Sequence, residues 1–397
     1  MPRPSLLVLS FSPIAADARV LKQVRLFAGR YDVTTCGFGP APTGDGLERV
    51  RHVEIPAEHA SLALDGRLVT LRAYPLVERR TPAVVGATRA LADAGLARGA
   101  FDVVLANDVE AVPLALRLRP RRGVHADLHE LSTRLHEEDA AWMRRIAPYE
   151  RWLCRRHVRR ARSVTTVSAG LARGYADDAG LDATVVVNAT PFSEREPGPV
   201  GRPLRLVHSG AGLANRHLEI LLEAVALTSA DVTLDLFLTP NDPAYLARLR
   251  ALAAEVPGVT LHDPVPYADL VETLAGHDVG VFVLPPVNAS YARALPNKLF
   301  DFVQARLGVV VSPNAEMAAL VREHGLGEVT AGYDARDLAD VLDRTTADDV
   351  RRWKAASHAA ARALSAEEQT DGWVRAVDAI ALGRPGASGP SAAGGAR

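Results

Sequence analysis

The 397-residue sequence has little cysteine, little lysine and almost no net charge. Its two cysteines, Cys36 and Cys154, exclude a disulfide scaffold and a cysteine-rich zinc module, and they are typical of a reducing cytoplasm. A formal net charge of −1 excludes a whole-molecule field that would attract nucleic acid. No apolar run approaches the roughly 18 residues of a membrane span, and the first residues lack the flanks of a signal peptide. We therefore expect a cytoplasmic protein that binds no nucleic acid.

The residues that are abundant are those of a globular protein, with 48% hydrophobic and 23% charged residues. The length is two to three times that of an ordinary domain of about 150 residues, which predicts two domains. Short runs rich in Val and Leu alternate with longer helical patterns, and the runs lack a polar–apolar alternation. Such runs are typical of strands that are buried on both faces of a parallel sheet, so we predict an α/β fold with doubly wound parallel sheets. The predicted strands are 5–12, 32–37, 102–106, 123–127, 163–167, 184–188, 204–209, 233–239, 259–261, 279–284 and 308–312.

A polar stretch rich in proline and glycine, residues 193–203, interrupts this alternation and has the composition of a linker. We therefore expect one domain over residues 1–195 and a second over 203–365. A helix over 366–382 follows, and the Gly, Pro, Ala and Ser content of the tail 383–397 predicts disorder. Open α/β sheets bind ligands at the carboxyl ends of their strands, so two sheets facing each other across a cleft would enclose a site for two substrates.

The segment that follows residue 290 predicts a helix with a free N-terminus before a buried strand. Pro296 stands at the first helical position, where its missing N–H costs nothing. The N–H groups and the partial positive charge of such an N-terminus suit a phosphate. Asn297 and Asp301 are four residues apart and Lys298 and Asp301 are three apart, so either pair can share one face of the helix. The alternative is that Lys298 and Asp301 form an ordinary exposed ion pair.

A second segment, residues 208–224, joins a predicted strand to a predicted helix. Gly210 and Gly212 permit close approach of the backbone. Arg216 lies just before or in the first helical turn, where a guanidinium can bind a diphosphate bidentately. The alternative is a tight turn without a ligand. The glycine spacing differs from the dinucleotide fingerprint, which makes a nicotinamide oxidoreductase the weakest candidate.

Two polar clusters follow strands in the N-terminal half. The sequence DLHEL places Asp127, His129 and Glu130 at the carboxyl end of a strand, where polar side chains favour a site. His129 is a candidate proton donor or hydrogen-bond partner for a substrate hydroxyl, and the alternative is a histidine with no such role. In the first loop, Asp17 is predicted to cap the next helix, with Arg19 in its first turn.

Together these segments resemble the retaining GT-B glycosyltransferases, and in particular family 4, the group 1 type. The resemblance extends from residue 5 to about residue 381. It depends on six motifs in the family's order, which include SVTTVSAGLARGY, VVVNATP, HSGAGLANRHLEILLEA and ALPNKLFDFVQA. The fold that this implies is GT-B, two Rossmann-like domains that face a central cleft.

The resemblance also implies an activity and a set of site residues. A sugar would pass from a nucleotide-diphosphate sugar (UDP, GDP or dTDP type) to an acceptor hydroxyl with retention of configuration, without a metal or another cofactor. The C-terminal domain would hold the donor, and the N-terminal domain would hold an acceptor sugar, a lipid-linked glycan or a small molecule. His129 would lie beside the transferred sugar, Arg216 and Lys298 would contact the diphosphate, and Asp301 would hold the ribose. The other implied donor residues are Gly210, Gly212, Asn215, Arg293, Ala294, Leu295, Pro296 and Asn297, and the acceptor-side candidates are Asp17, Arg19, Asp127 and Glu130.

Three positions depart from the family pattern. Arg293 replaces the first Glu of the E-x7-E motif, and Asp301 is a shortened version of the second. Leu221 stands where the family has a lysine five residues after Arg216, so Lys298 or Arg293 would supply the second positive charge. An arginine at position 293 suits a phosphate or an acidic sugar, and the alternative is a solvated loop residue.

Residues 143–163 contain eight arginines. With Trp152, Leu153 and Val158 as apolar anchors, a basic amphipathic helix here would rest on an anionic membrane at the inner face of the cell membrane. The alternative is a solvated helix. Near the C-terminus, Trp373 lies on the apolar side of a predicted helix, and the resemblance implies that this helix crosses back to the N-terminal domain.

Two other functions remain open from the sequence. One is a non-catalytic partner subunit that binds a nucleotide sugar or another transferase, which the charge change at Arg293 motivates. The other is a nucleotide-sugar 2-epimerase, which shares the two-domain fold. The resemblance favours transfer, in bacterial polysaccharide, glycolipid or natural-product glycosylation.

Overall fold

The computed structural model describes residues 3–383, and their contacts divide the chain into two units. The first unit consists of the N-terminal residues up to Val186 together with the residues from Thr370 onward, and the second is Val187–Gln369. Residues 187–195, which the sequence placed in the first domain, belong to the second unit, where Ser193 N–H donates to the Gln304 side chain at 3.0 Å. Of the tail that is expected to be disordered, residues 384–397 lie outside the described residues.

The described residues of the first unit contain a seven-stranded parallel sheet in the order β3-β2-β1-β4-β5-β6-β7. This is the strand order of a Rossmann-type doubly wound sheet. The central strand β4 is buried along its whole length, as expected for a strand with helices on both faces. The strands are β1 (Ser5–Pro13), β2 (Asp32–Phe38), β3 (Arg51–Ile55), β4 (Val103–Asn107), β5 (Gly123–Leu128), β6 (Ser163–Thr166) and β7 (Thr184–Val185).

Helices connect these strands. The first begins after Asp17, whose carboxylate accepts hydrogen bonds from the N–H groups of Arg19 and Val20, the cap that the sequence predicts. The helices are α1 (Ala18–Ala28), α2 (Gly66–Thr70), α3 (Tyr74–Arg80), α4 (Pro82–Asp93), α5 (Val112–Arg117), α6 (Ala140–Arg145), α7 (Ala147–Arg156) and α8 (Ala169–Ala179).

The second unit contains a six-stranded parallel sheet in the order β10-β9-β8-β11-β12-β13. Its strands are β8 (Leu204–Ala211), β9 (Val232–Thr239), β10 (Val259–His262), β11 (Val279–Phe282), β12 (Gly308–Val311) and β13 (Gly327–Val329). Its helices are α9 (Glu219–Leu227), α10 (Pro243–Ala254), α11 (Tyr267–Leu274), α12 (Ala289–Ala292), α13 (Asn297–Gln304), α14 (Ala315–His324), α15 (Ala335–Arg344), α16 (Ala347–Ala360) and α17 (Ala366–Gln369).

Two apolar clusters form the core of this unit. One contains Leu221 and Leu222 of α9 with Leu236 of β9. The other contains Phe300 and Phe302 of α13. The α/β class with two parallel-sheet, Rossmann-like domains is therefore confirmed.

The last helix before residue 384, where the described part of the chain ends, is α18 (Asp371–Ala381), and it belongs to the first unit. Trp373, Val377 and Ile380 are buried there among residues of β1, α1 and β4. The spacing of these three side chains, four and three residues apart, places them on one face of the helix. Within the described residues, none of the helices combines the length and the apolar character that crossing a membrane requires.

Candidate functional site

The second unit brings Gly210 and Lys298 into contact at the end of β8. A Cβ atom added to Gly210 would lie 2.2 Å from Lys298 Cε, so the lysine side chain passes directly over the glycine backbone. Gly210 has a φ of +155°, which side-chain-bearing residues rarely adopt. A strand end and the N-terminal turn of α13, predicted separately from the sequence, therefore meet at one place.

Arg216 lies near this lysine, in the short turn before α9. Its guanidinium carbon is 4.4 Å from the centroid of the Tyr291 ring, and Lys298 Nζ is 5.8 Å from that of the Phe282 ring. Burial lowers the pKa of Lys298 to about 8, the charge of Arg216 lowers it too, and Asp301 raises it. Two cations thus stand close enough to repel one another, and an anion bound between them would relieve that repulsion.

His208, in β8, is a site residue that the sequence reasoning missed. Its Nδ1 lies 3.0 Å from the Val281 carbonyl oxygen, so Nδ1 carries the proton and donates it. Burial lowers the pKa of His208 to about 3, and the charges of Lys298 and Arg216 act in the same direction. At neutral pH the ring is therefore uncharged. Its place near the end of a strand, two residues before Gly210, is the signal that could have identified it.

Asp301 is buried in the second unit. Its residue is 1% exposed, and Thr190 Oγ1 donates a hydrogen bond of 2.5 Å to its Oδ1. Burial is the main cause that raises the pKa of the Tyr267 hydroxyl, and the negative charge of Asp301 raises it further. The shortened side chain is thus engaged within the second unit, and its contact with a ribose stays a prediction.

The remaining donor candidates differ in what their backbone atoms do. The Ala294 N–H, expected near a phosphate, donates to the Tyr291 carbonyl at 3.2 Å and is engaged within its own turn. A Cβ atom at Gly212 would lie 2.6 Å from Leu246 Cδ2, so this glycine permits packing against α10. Asn215 is exposed in the turn before α9. Arg293, Leu295, Pro296 and Asn297 are half-buried in the segment that leads into α13.

In the first unit, Asp127 is fully buried at the end of β5 and accepts hydrogen bonds from many donors. Arg19 holds it bidentately, through Nε at 2.8 Å and Nη2 at 2.7 Å. Gln23, Thr165 and Trp373 also donate to it, at 2.7, 2.6 and 3.1 Å.

Burial opposes ionisation of Asp127, but the Arg19 guanidinium and the other donors hold the pKa of the carboxyl well below its usual range. Arg19 is itself only 4% exposed, and its guanidinium lies over the Trp373 ring. Arg19 and Asp127, two of the four acceptor-side candidates from the sequence, therefore form an internal ion pair, and Trp373 of α18 donates to the same carboxylate.

His129 lies between two carboxylates beside that ion pair. Its Nδ1 is 3.2 Å from Asp108 Oδ2, and its Nε2 is 3.2 Å from Asp127 Oδ2. Burial would lower the pKa of His129, but Asp108 and Asp127 outweigh it and raise the pKa to about 10. The ring is thus an imidazolium at neutral pH, so His129 supplies a fixed positive charge and cannot act as a general base.

Asp108 is a further residue that the sequence reasoning missed. It has a φ of 63° directly after β4, an unusual conformation for a residue other than glycine. Its N–H donates to the Asp127 carbonyl at 2.8 Å, and its Oδ1 accepts from the His129 N–H at 2.9 Å. The strained backbone therefore aims this carboxylate at the histidine.

A small cavity opens at the carboxyl ends of β1, β4 and β5, with a volume of about 160 Å³. Ser12, Asn107, Asp108 and Glu130 are among its lining residues. Asp17, which accepts from Ser12 Oγ at 2.8 Å, supports one wall. Of the acceptor-side candidates, Glu130 lines this cavity directly.

The arginine-rich stretch 143–163 does not form one amphipathic helix. It is divided between α6, α7 and a turn at Val158–Arg160. Leu153 of α7 and Val158 of the turn, both expected as membrane anchors, are fully buried in the first unit. Trp152 is half-buried and stacks on the Tyr149 ring at 6.1 Å between centroids. Two of the three predicted apolar anchors, Leu153 and Val158, are therefore core residues.

Between residues 3 and 383, no group of three or more His, Cys, Asp or Glu side chains is arranged to hold a metal ion.

Comparison with known proteins reveals similarity in fold. No protein-family model matches the sequence, and no curated protein matches it either. Among solved structures, Anabaena Alr3699/HepE in complex with UDP-glucose superposes with a TM-score of 0.70 at 14% identity, over 95% of this chain and 100% of that one. Sucrose-phosphate synthase from Thermosynechococcus elongatus gives 0.66 at 16% identity, over 96% and 97%. WaaG, a glycosyltransferase involved in lipopolysaccharide biosynthesis, gives 0.59 at 12% identity, over 92% and 99%. The predicted GT-B fold is confirmed by these similarities.

Proposed function

We propose that this protein is a glycosyltransferase whose donor is a nucleoside-diphosphate sugar bound by the second unit. The observation that carries the proposal is the pair of cations, Arg216 and Lys298, beside Gly210 at the end of β8. Strand ends and helix N-termini are where α/β proteins bind phosphates. The fold similarity to a protein crystallised with UDP-glucose agrees with this ligand class.

Arg216 and Lys298 would act on the leaving diphosphate. As the bond between sugar and phosphate breaks, negative charge grows on the phosphate oxygens, and two fixed cations stabilise it. Binding of the diphosphate would also raise the pKa of Lys298 from about 8, so the lysine becomes fully charged when its charge is needed. His208, whose pKa the charges of Arg216 and Lys298 help to lower, is neutral and adds no further positive charge to the site.

The finer parts of the proposal rest on the family resemblance. Transfer retains the anomeric configuration and needs no metal, and the acceptor is held by the first unit. The acceptor carries a hydroxyl group and is a sugar, a lipid-linked glycan or a small molecule. The pathway is bacterial polysaccharide, glycolipid or natural-product glycosylation. Contact of the cytoplasmic protein with an anionic membrane would depend on exposed arginines such as Arg144 and Arg145, without apolar anchors from the core.

A non-catalytic partner subunit is the second candidate. It is favoured by Asp301, which is engaged with Thr190, and by Arg293 in place of a carboxylate. Such a subunit would bind the nucleotide sugar and release no nucleotide.

The test is nucleotide binding, measured by calorimetry with UDP, GDP and dTDP. We expect one of them to bind the wild type, and Arg216→Ala and Lys298→Ala to weaken binding at least tenfold, because each removes a charge-assisted interaction of about 1.5–3 kcal/mol. Arg336→Ala removes an exposed cation elsewhere in the same unit and should change binding less than twofold. Failure of all three nucleotides, or equal binding by all variants, would contradict the proposal. Release of nucleotide from the matching sugar donor separates the enzyme from the partner subunit.

A further inference from the structure

The first unit contains a second cavity of about 360 Å³ next to the strand-end cavity. The two cavities share the lining residues Leu62, Glu110, Ser132 and Leu135. The larger one therefore continues from the carboxyl ends of the strands into the space around α7. Its volume is within the range of sites that take a small ring-shaped ligand.

Two carboxyl groups, Glu110 and Glu150, face this cavity. Glu150 is 6% exposed, and among residues 3–383 no donor lies within hydrogen-bond distance of its Oε2 atom. Glu110 is in the turn that follows β4. Burial is the main cause that raises the pKa of Glu110 to about 7, and the negative charge of Asp108 adds to it. Burial also raises the pKa of Glu150, and the negative charge of Glu110 adds to it.

The other carboxylate of the cavity is already balanced. Glu78 forms an ion pair with Arg117, and its Oε2 lies 3.3 Å from His157 Nε2. Of the lining residues in the described part of the chain, none is lysine or arginine. The charge of His129 lowers the pKa of Glu110, but the imidazolium is engaged by Asp108 and Asp127.

The remaining wall is apolar and aromatic. It includes the rings of Trp142 and Tyr149 and the side chains of Leu64 and Ile146. Aromatic faces and carboxylates both attract a cation, while the apolar surface suits a carbon ring. A neutral hydroxyl could donate to Glu150 Oε2, but it would bring no positive charge to offset the burial and the repulsion by neighbouring carboxylates that raise the pKa of both glutamates.

We propose that this cavity binds an ammonium group on a ring-bearing acceptor, with Glu150 and Glu110 as its counter-ions. The inference deepens the proposed function, on which it rests, because it names the acceptor class: an amino-substituted sugar or cyclitol. The shared lining residues let the ring occupy the larger cavity while a hydroxyl extends toward the carboxyl ends of β1, β4 and β5.

The test uses two probes of nearly equal size, cyclohexylammonium and cyclohexanol, with binding to the full chain measured by ligand-observed NMR at pH 7. We expect the ammonium to bind the wild type at least tenfold more tightly than the alcohol. Glu150→Gln and, separately, Glu110→Gln should each weaken binding of the ammonium at least tenfold and change binding of the alcohol less than twofold. Glu48→Gln, which removes an exposed charge of the same unit outside the cavity lining, should leave both probes unaffected.

Equal affinities of the two probes for the wild type would overturn the inference, whatever the variants do. So would undiminished ammonium binding by both cavity variants. Because Gln is nearly isosteric with Glu, the thermal melting of each variant identifies a loss of binding that comes from unfolding, and the other variant then decides. Nucleotide binding is measured independently of these probes, so failure of the acceptor inference and failure of the donor proposal give different results.

Discussion

At the scale of single residues, the charged side chains at the strand ends of the first unit have two different roles. Asp127 and Arg19 are buried and saturated with hydrogen bonds, and they hold β5, α1 and α18 together. His129 and Asp108 are more exposed, with 18% and 43% of their side-chain surface accessible. The sequence DLHEL predicts that polar residues gather here, but it does not show which of them face inward.

The raised pKa of His129 leads to a prediction about pH. Because the pKa of His129 is higher in the folded state, its protonation stabilises the fold. This contribution to the free energy of unfolding is fully present below pH 6.5, the ordinary imidazole pKa being about 6.5, and it is lost as the pH rises through about 10. In NMR spectra of the ring nitrogens, we expect His129 of the wild type to remain doubly protonated at pH 8. Asp108→Asn should lower its pKa toward the ordinary value and reduce stability at pH 7 more than at pH 10.

Asp45→Asn removes an exposed carboxylate of the same unit and serves as the control, since it should leave the His129 titration unchanged. A wild-type His129 that titrates between pH 6 and 7 would show that the two neighbouring carboxylates do not hold its proton.

Some site residues could be predicted from sequence because local rules place them. Asp17 caps a helix, Lys298 follows a proline at a helix start, and Gly210 follows a strand. The position of His208 near a strand end is a local signal, but its hydrogen bond to Val281 and the packing of Tyr291 on Arg216 depend on residues more than 70 positions apart. No local pattern encodes such a contact.

At the scale of elements, each of the eleven predicted strands corresponds to an observed one, because Val- and Leu-rich runs are distinctive. Two strands were missed, β3 and β13. The first reads RHVEI, whose buried and exposed residues alternate at the sheet edge. The second has only three residues, none of them fully buried. Edge strands bury less surface, so their sequences carry less of the apolar signal.

Because the Lys298 side chain passes over the end of β8, we expect substitution of Gly210 to affect both stability and binding. Gly210→Ala would place a Cβ 2.2 Å from Lys298 Cε at a φ of +155°, so both strain and displacement of the lysine are expected. We expect a loss of about 1–3 kcal/mol in the free energy of unfolding and at least tenfold weaker nucleotide binding. Denaturant unfolding and calorimetry measure the two effects.

Gly325→Ala is the matched control. Gly325 also has a positive φ, +63°, but nothing lies within 4 Å of its added Cβ. It should cost about 1 kcal/mol of stability and leave nucleotide binding intact. If Gly210→Ala affected binding no more than this control does, the contact between Gly210 and Lys298 would have no part in the site.

At the scale of the whole molecule, the first unit is built from two separate stretches of chain, and the second is continuous. The linker composition of residues 193–203 predicts a division near the right place. It does not predict that Thr190 and Ser193 bond to α13, since those bonds connect positions 111 residues apart. The resemblance to a known family predicted where α18 packs, and composition alone would not have done so.

The position of Trp373 predicts how stability is divided between the units. Trp373→Phe keeps most of the ring but removes the Nε1–H that donates to Asp127 at 3.1 Å, which leaves a buried carboxylate with one donor fewer. We expect a loss of about 1–3 kcal/mol, confined to the first unit. Hydrogen exchange followed by mass spectrometry should report faster exchange in β1, β4 and β5 and unchanged exchange in β8 to β12.

Leu382→Ala, just beyond the same helix at a residue that is 61% exposed, should change neither unit. Uniformly faster exchange throughout both sheets in Trp373→Phe would contradict independent stability of the units.

The discontinuous first unit has a consequence for how the protein is made. The ribosome adds Asp127 to the chain before Trp373, which donates a hydrogen bond to it in the folded unit. The two residues are 246 positions apart. At about 5–20 residues per second, this delay is roughly 10–50 seconds. The N-terminal sheet is therefore synthesised well before α18, whose Trp373, Val377 and Ile380 complete its apolar cluster in the folded unit.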